Sequence, residues 1–90
     1  MHELISAFEE IIELLKKSED TIWANYTVEE AVEILQIELE NYKKTQKFSE
    51  SGKNTINLLF LPTGALQEIS IDNGWGNKFV KIADVFDKYL

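Results

Sequence analysis

Carboxylates dominate the chemistry available to this chain: sixteen of its 90 residues are Asp or Glu, and two sets recur at i,i+4, Glu9 with Glu13 and Glu29 with Glu33. A carboxylate pair does general acid–base work when burial or a convergent partner raises one member's proton affinity. Both pairs fall opposite apolar helical stripes, with no His, Arg or Cys converging on them, which predicts ionised groups on a solvated face. His2 is the one histidine and there is no cysteine. A His-based metal site, a Ser-His-Asp triad, cysteine-ligated zinc or iron–sulfur, and disulfides all lack their parts. Asp72-Asn73-Gly74 begins like a calcium loop but lacks the alternating oxygen ligands and the closing glutamate. There is no GxGxxG, no glycine loop ending in a Walker lysine and no GxSxG. Gly74-Trp75-Gly76 is no phosphate cradle either, because a Trp and the nearby Asp72 suit anions poorly. The chain is expected to be non-enzymatic, with no cofactor and no metal.

Charge points to a partner instead. Nine basic residues, every one a lysine, leave a net charge of −7. Residues 1–40 hold eleven carboxylates and two lysines, a net of −9, whereas residues 41–90 carry +2. Without arginine's planar fork, and with an acidic surface that repels polyanions, neither nucleic acid nor an anionic membrane is an expected partner. A basic protein is; the competing account is that the charge only keeps a small protein in solution. The longest apolar run, Leu58-Leu59-Phe60-Leu61, is far below membrane-spanning length, and Met1-His2-Glu3 has no basic leader region. With no cysteine to oxidise, a cytoplasmic location is expected.

Ninety residues make one domain, 1–90, with one core. Leu4, Phe8, Ile11 and Leu15 recur at i, i+4, i+7, i+11, which predicts an amphipathic helix over residues 3–17. Residues 18–20 read as a break, and 21–26 as an ambiguous apolar stretch around Ile22, Trp23 and Tyr26. Thr27-Val28-Glu29-Glu30 matches a capping box, and Val28, Val32, Leu35, Leu39 and Tyr42 carry a second helix over 28–44. A short connection makes the two an antiparallel helical hairpin. Residues 45–54, polar and containing Gly52, read as the longest and most mobile loop. Residues 56–61 and 66–71 are apolar and β-branched around Pro62-Thr63-Gly64-Ala65, which reads as a two-stranded antiparallel β-hairpin with Ile69 and Ile71 on one face. A third helix follows over 78–89 through Phe79, Ile82, Ala83 and Phe86. The expected class is α+β, in the order α-α-β-β-α.

The unusual segment is 68–77. Asn73-Gly74 demands special backbone angles, and Trp75 sits between two glycines that cannot shield it. One reading makes it a recognition loop, with Trp75 as anchor and Glu68, Asp72 and Asn73 as acceptors on its rim. The other folds Trp75 back as a lid on the core, and is favoured for Trp75 itself. Trp23 and Tyr26 carry the same ambiguity and lean the same way. The residues expected to meet a partner are Tyr26, Glu29, Glu33, Glu68, Asp72, Asn73 and Trp75.

The stretch Phe60-Leu61-Pro62-Thr63-Gly64-Ala65-Leu66-Gln67-Glu68-Ile69-Ser70-Ile71-Asp72-Asn73-Gly74-Trp75-Gly76 resembles the hallmark block of small bacterial proteins associated with immunity to secreted toxins. It covers about a fifth of the chain. The barnase inhibitor and the nuclease-colicin immunity proteins are general examples of that role, and this chain is similar to them in size and charge. What the resemblance implies is an acidic, toxin-neutralising immunity-type inhibitor in a bacterial cytosol, with a basic partner steered onto the acidic helices. The alternative is a homodimeric assembly module, in which residues 58–61 form a hairpin edge that pairs with a second copy.

Overall fold

The computed structural model describes residues 2–60 and 64–90. Five helices run in chain order: α1 (His2–Lys16), α2 (Val28–Thr45), α3 (Glu50–Phe60), α4 (Ala65–Asp72) and α5 (Gly76–Tyr89). Leu4, Phe8, Ile11 and Leu15 on α1 are fully buried, as their spacing requires. α2 starts at its capping box: Thr27 Oγ accepts from the Glu30 backbone N–H at 3.1 Å, and Glu30 Oε1 accepts from Thr27 N–H at 2.8 Å. The helix ends at Gln46, whose φ of 63° is the left-handed conformation that lets its N–H reach the Tyr42 carbonyl at 2.7 Å.

α1 lies between α2 and α5 and is antiparallel to both. Phe48, just past the end of α2, has its ring 6.1 Å from that of Phe8 in the first half of α1. Glu3 at the start of α1 meets the last turn of α5, where Lys88 Nζ is 3.4 Å from Glu3 Oε2 and the Tyr89 hydroxyl donates to Oε1 at 3.3 Å. Partial desolvation, and then the Glu3 charge and hydrogen bond, push the Tyr89 phenol above its ordinary pKa. α3 and α4 close the remaining side, α4 against α5 and α3 against α2 and α4. A continuous line of rings crosses the core from Tyr42 through Phe48, Phe8, Phe86 and Phe60 to Phe79, with neighbouring centroids 4.5–6.1 Å apart. Each such pair adds roughly 0.5–1.5 kcal/mol beyond burial of its area.

The chain is therefore all-helical where described, which corrects the α+β expectation. Residues 56–60 belong to α3 and 66–71 to α4, not to two strands. The decisive contrast is Ile69 against Ile71. A strand puts both on one face, yet Ile69 is 0% exposed and Ile71 is 56% exposed. Gly52, Ile56 and Leu59 are buried at i, i+4, i+7, and Leu66, Ile69 and Ser70 at i, i+3, i+4. Both sets have helical spacing, although Ile56 and Ile69 are residues that favour strands. A lone hairpin is marginal in water, so packing overrides that preference. Local bonding helps: Ser49 Oγ accepts from Gly52 N–H at 3.0 Å at the start of α3, and the Thr55 hydroxyl donates to the Ser51 carbonyl at 2.9 Å. The loop expected over 45–54 shrinks to residues 46–49. Leu61 and the Pro62-Thr63 part of the expected turn lie outside the described residues. With residues 58–60 in a helix, the strand edge expected to pair with a second copy is not there. Among the described residues, no helix is long and apolar enough to cross a membrane.

Candidate functional site

The α4–α5 turn and the α1–α2 connection are tied to each other across more than fifty residues of sequence. Asn73 follows the last residue of α4, and its side-chain amide forms a two-way clasp with Glu19: Oδ1 accepts from Glu19 N–H at 2.9 Å and Nδ2 donates to the Glu19 carbonyl at 2.9 Å. The Thr21 hydroxyl donates to Asp72 Oδ2. The Trp75 indole N–H donates to Ser18 Oγ at 2.8 Å, and that hydroxyl in turn donates to the Leu14 carbonyl at 2.7 Å. Gly74 makes the turn possible through its φ of +82°, a conformation that side chains with a Cβ rarely adopt. A second anchor holds the far end of the connection, where Asp20 Oδ1 accepts from the Val28 backbone N–H at 2.7 Å at the start of α2.

These bonds hold a connection whose middle points away from the protein. Ile22 is 89% exposed and Trp23 is 69% exposed. An exposed Trp beside an exposed Ile, on a connection fixed at both ends, makes a large apolar tip. Trp23 was expected to lean to the core, and the structure corrects this. The same connection borders a groove of about 570 Å³ between the end of α1 and the start of α2, lined by Lys16, Glu19, Asp20, Glu29, Val28 and Val32 among others. Three carboxylates and one ammonium on a valine floor suit a basic, amphipathic surface better than an anion.

The residues expected to meet a partner divide into four groups. Trp75 is 7% exposed and packs in the core as a lid. Asp72 and Asn73 spend their side chains on Thr21 and Glu19, so they position the connection. Tyr26 is half-buried against the edge of the core, and Glu68 is half-buried in the first turn of α4. Glu29 and Glu33 are exposed on α2, and Glu29 lines the groove beside the connection. The sequence did carry a signal for the tip. Ser18, Asp20, Thr21 and Thr27 are the residue types that bond to nearby backbone, and Ile22-Trp23 has no periodic apolar partner among them. Among the described residues, no group of three or more His, Cys, Asp or Glu is placed to hold a metal ion. No family model, curated protein or solved structure matches the chain.

Proposed function

We propose that this protein is a non-enzymatic binding module that docks a basic protein partner on the end of the bundle formed by residues 17–27 and the start of α2. The observation that carries the reading is the exposed Trp23, beside Ile22, on a connection pinned by Asn73, Asp72 and Trp75. Tryptophan is the residue type most often found as an interface hot spot, and fixing it before contact removes part of the ordering cost of association. Glu19, Asp20 and Glu29 line the adjoining groove and Glu33 follows one turn along α2, a negative potential that accelerates encounter with a positive surface. The biological form we favour is a toxin-neutralising immunity-type inhibitor, supported by the block at 60–76, the acidic charge and the size. Within that block, Leu66, Ile69 and Trp75 pack in the core while Asp72 and Asn73 hold the docking loop, so on this reading the block is the scaffold and Ile22–Trp23 the contact.

The test is calorimetric binding to the product of an adjacent toxin-like reading frame, at low and high salt. Trp23→Ala should weaken binding by roughly 30-fold or more, the factor for a hot spot of about 2 kcal/mol, while leaving the unfolding midpoint unchanged. Wild-type affinity should fall as salt rises. Binding by Trp23→Ala equal to the wild type, or no salt-dependent binding at all, overturns the proposal.

A further inference from the structure

Asn73 is the one asparagine of six that precedes a glycine. Glycine carries no Cβ, so the nitrogen after Asn73 is the least shielded of the six from its neighbour's side chain. In the folded chain that neighbour is held out of reach. The Asn73 amide is fully engaged, with Oδ1 on Glu19 N–H and Nδ2 on the carbonyls of Glu19 and Ile69, each at 2.9 Å. Its ψ of 8° holds the Gly74 nitrogen over Asn73's own nitrogen and away from Cβ. The Gly74 N–H also donates to the Ile71 carbonyl at 3.2 Å. A five-membered ring joining Gly74 N to Asn73 Cγ needs the opposite arrangement: the nitrogen turned to the Cβ side and the amide free to rotate.

We infer that Asn73-Gly74 is a self-modification site guarded by the contact between residues 18–21 and the α4–α5 turn, so that opening this contact commits the chain to deamidation. Once it opens, the Gly74 backbone nitrogen gives its proton to solvent base and attacks Asn73 Cγ. The Cγ–Nδ2 bond breaks, the amide nitrogen takes up a proton and leaves as ammonia, and a succinimide remains. Water then opens the ring at either carbonyl, leaving aspartate or isoaspartate at position 73. One water is consumed, one ammonia is released and nothing is oxidised. The product cannot rebuild the clasp. A carboxylate is acceptor-only, and its new oxygen would face the Glu19 and Ile69 carbonyls that Nδ2 had satisfied. A transient local opening thereby becomes a permanent loosening of the connection that carries Ile22 and Trp23.

The experiment needs no partner. Protein held at mildly alkaline pH, folded or in urea, is mapped by peptide mass spectrometry with isoaspartate detection, using Asn25, Asn41, Asn54, Asn57 and Asn77 as internal references. Asn73 should deamidate at least roughly tenfold more slowly in the folded wild type than in urea, the protection expected when reaction requires a local opening. Thr21→Val and Ser18→Ala, each removing one tie of the connection, should move that rate towards the urea value with helical circular dichroism unchanged. Asn73→Asp keeps an acceptor for the Glu19 N–H but loses the donor to the Glu19 and Ile69 carbonyls, and should lower the urea midpoint. Equal rates for folded and urea-unfolded wild type, no reaction at Asn73 in urea, or wild-type rates in both folded variants would overturn the inference.

Discussion

Ile69→Ala and Ile71→Ala separate the helix at residues 65–72 from the strand it could have been. Two residues apart, the side chains share a face in a strand and lie some 200° apart around a helix. Ile69 is fully buried between α4 and the rest of the core, so truncation removes its transfer free energy and leaves a cavity, about 2–5 kcal/mol in total. Ile71 keeps more than half its surface in water, so burial contributes about 1 kcal/mol at most. Alanine's better helix propensity returns part of that, leaving a net loss of roughly 0.5 kcal/mol. For a domain of this size, the Ile69 value is a large fraction of a total stability of roughly 5–13 kcal/mol. It lowers Tm by on the order of 10–25 °C, against a few degrees for Ile71. Urea unfolding followed by circular dichroism, with the m-value checked for constancy, measures both. Comparable losses at the two positions would refute the helical register of α4 and the core assignment built on it.

Three further outcomes follow from individual bonds. Thr27→Ala removes one arm of the capping box at the start of α2 and should lower stability by about 1 kcal/mol in the same urea titration. Ser18→Ala leaves the Trp75 indole N–H without its acceptor and should lower stability by about 1–3 kcal/mol. Combined with Trp75→Phe, it should cost less than the two single losses added together, by roughly 0.5–1.5 kcal/mol; strict additivity would mean that the hydrogen bond contributes nothing.

Where apolar spacing and a local cap agreed, the sequence was legible. α1, α2 and α5 follow from stripes of buried residues, and the Thr27–Glu30 box marked the first residue of α2. Trp75 as a core lid was legible for the same reason: glycines on either side gave it room to fold back. The middle of the chain misled because Ile56, Leu59, Leu66 and Ile69 satisfy helical spacing while belonging to short segments rich in branched residues beside Pro62 and Gly64. Over so few residues the two periods are hard to separate, and the deciding term is tertiary: the aromatic line from Tyr42 to Phe79 requires Phe60 to lie against Phe86. The proposed docking tip was legible only in part. Asp72, Asn73 and Trp75 stand out in the sequence, but their bonds run inward to Thr21, Glu19 and Ser18, more than fifty positions away. No local pattern shows which partner a hydrogen-bonding side chain has chosen at that separation.

The fold distributes lysines unevenly over the acidic half of the chain. Residues 1–40 carry a net of −9, yet lysines from the other half reach part of that charge. Lys88 pairs with Glu3, the one ion pair among the described residues, and Lys78 and Lys81 share a groove with Glu3 and Glu10. Three lysines thus face the α5 side of α1, while the groove beside the tip sets Glu19, Asp20 and Glu29 against Lys16. At physiological salt the Debye length is about 8 Å, well short of the molecule's 34 Å long axis, so steering depends on where charge sits more than on its total. Glu10 lies roughly 9 Å along the helix axis from the end of α1 and faces α5 lysines. Glu10→Lys and the double variant Glu29→Gln/Glu33→Gln change the net charge by the same two units, but only the second touches the docking end. The double variant should lower the association rate with the basic partner by roughly three- to tenfold and flatten its salt dependence, with the dissociation rate little changed. Glu10→Lys should leave the association rate near the wild-type value. Equal losses from both would mean that net charge alone draws the partner in, and that the acidic rim around Trp23 has no directing role.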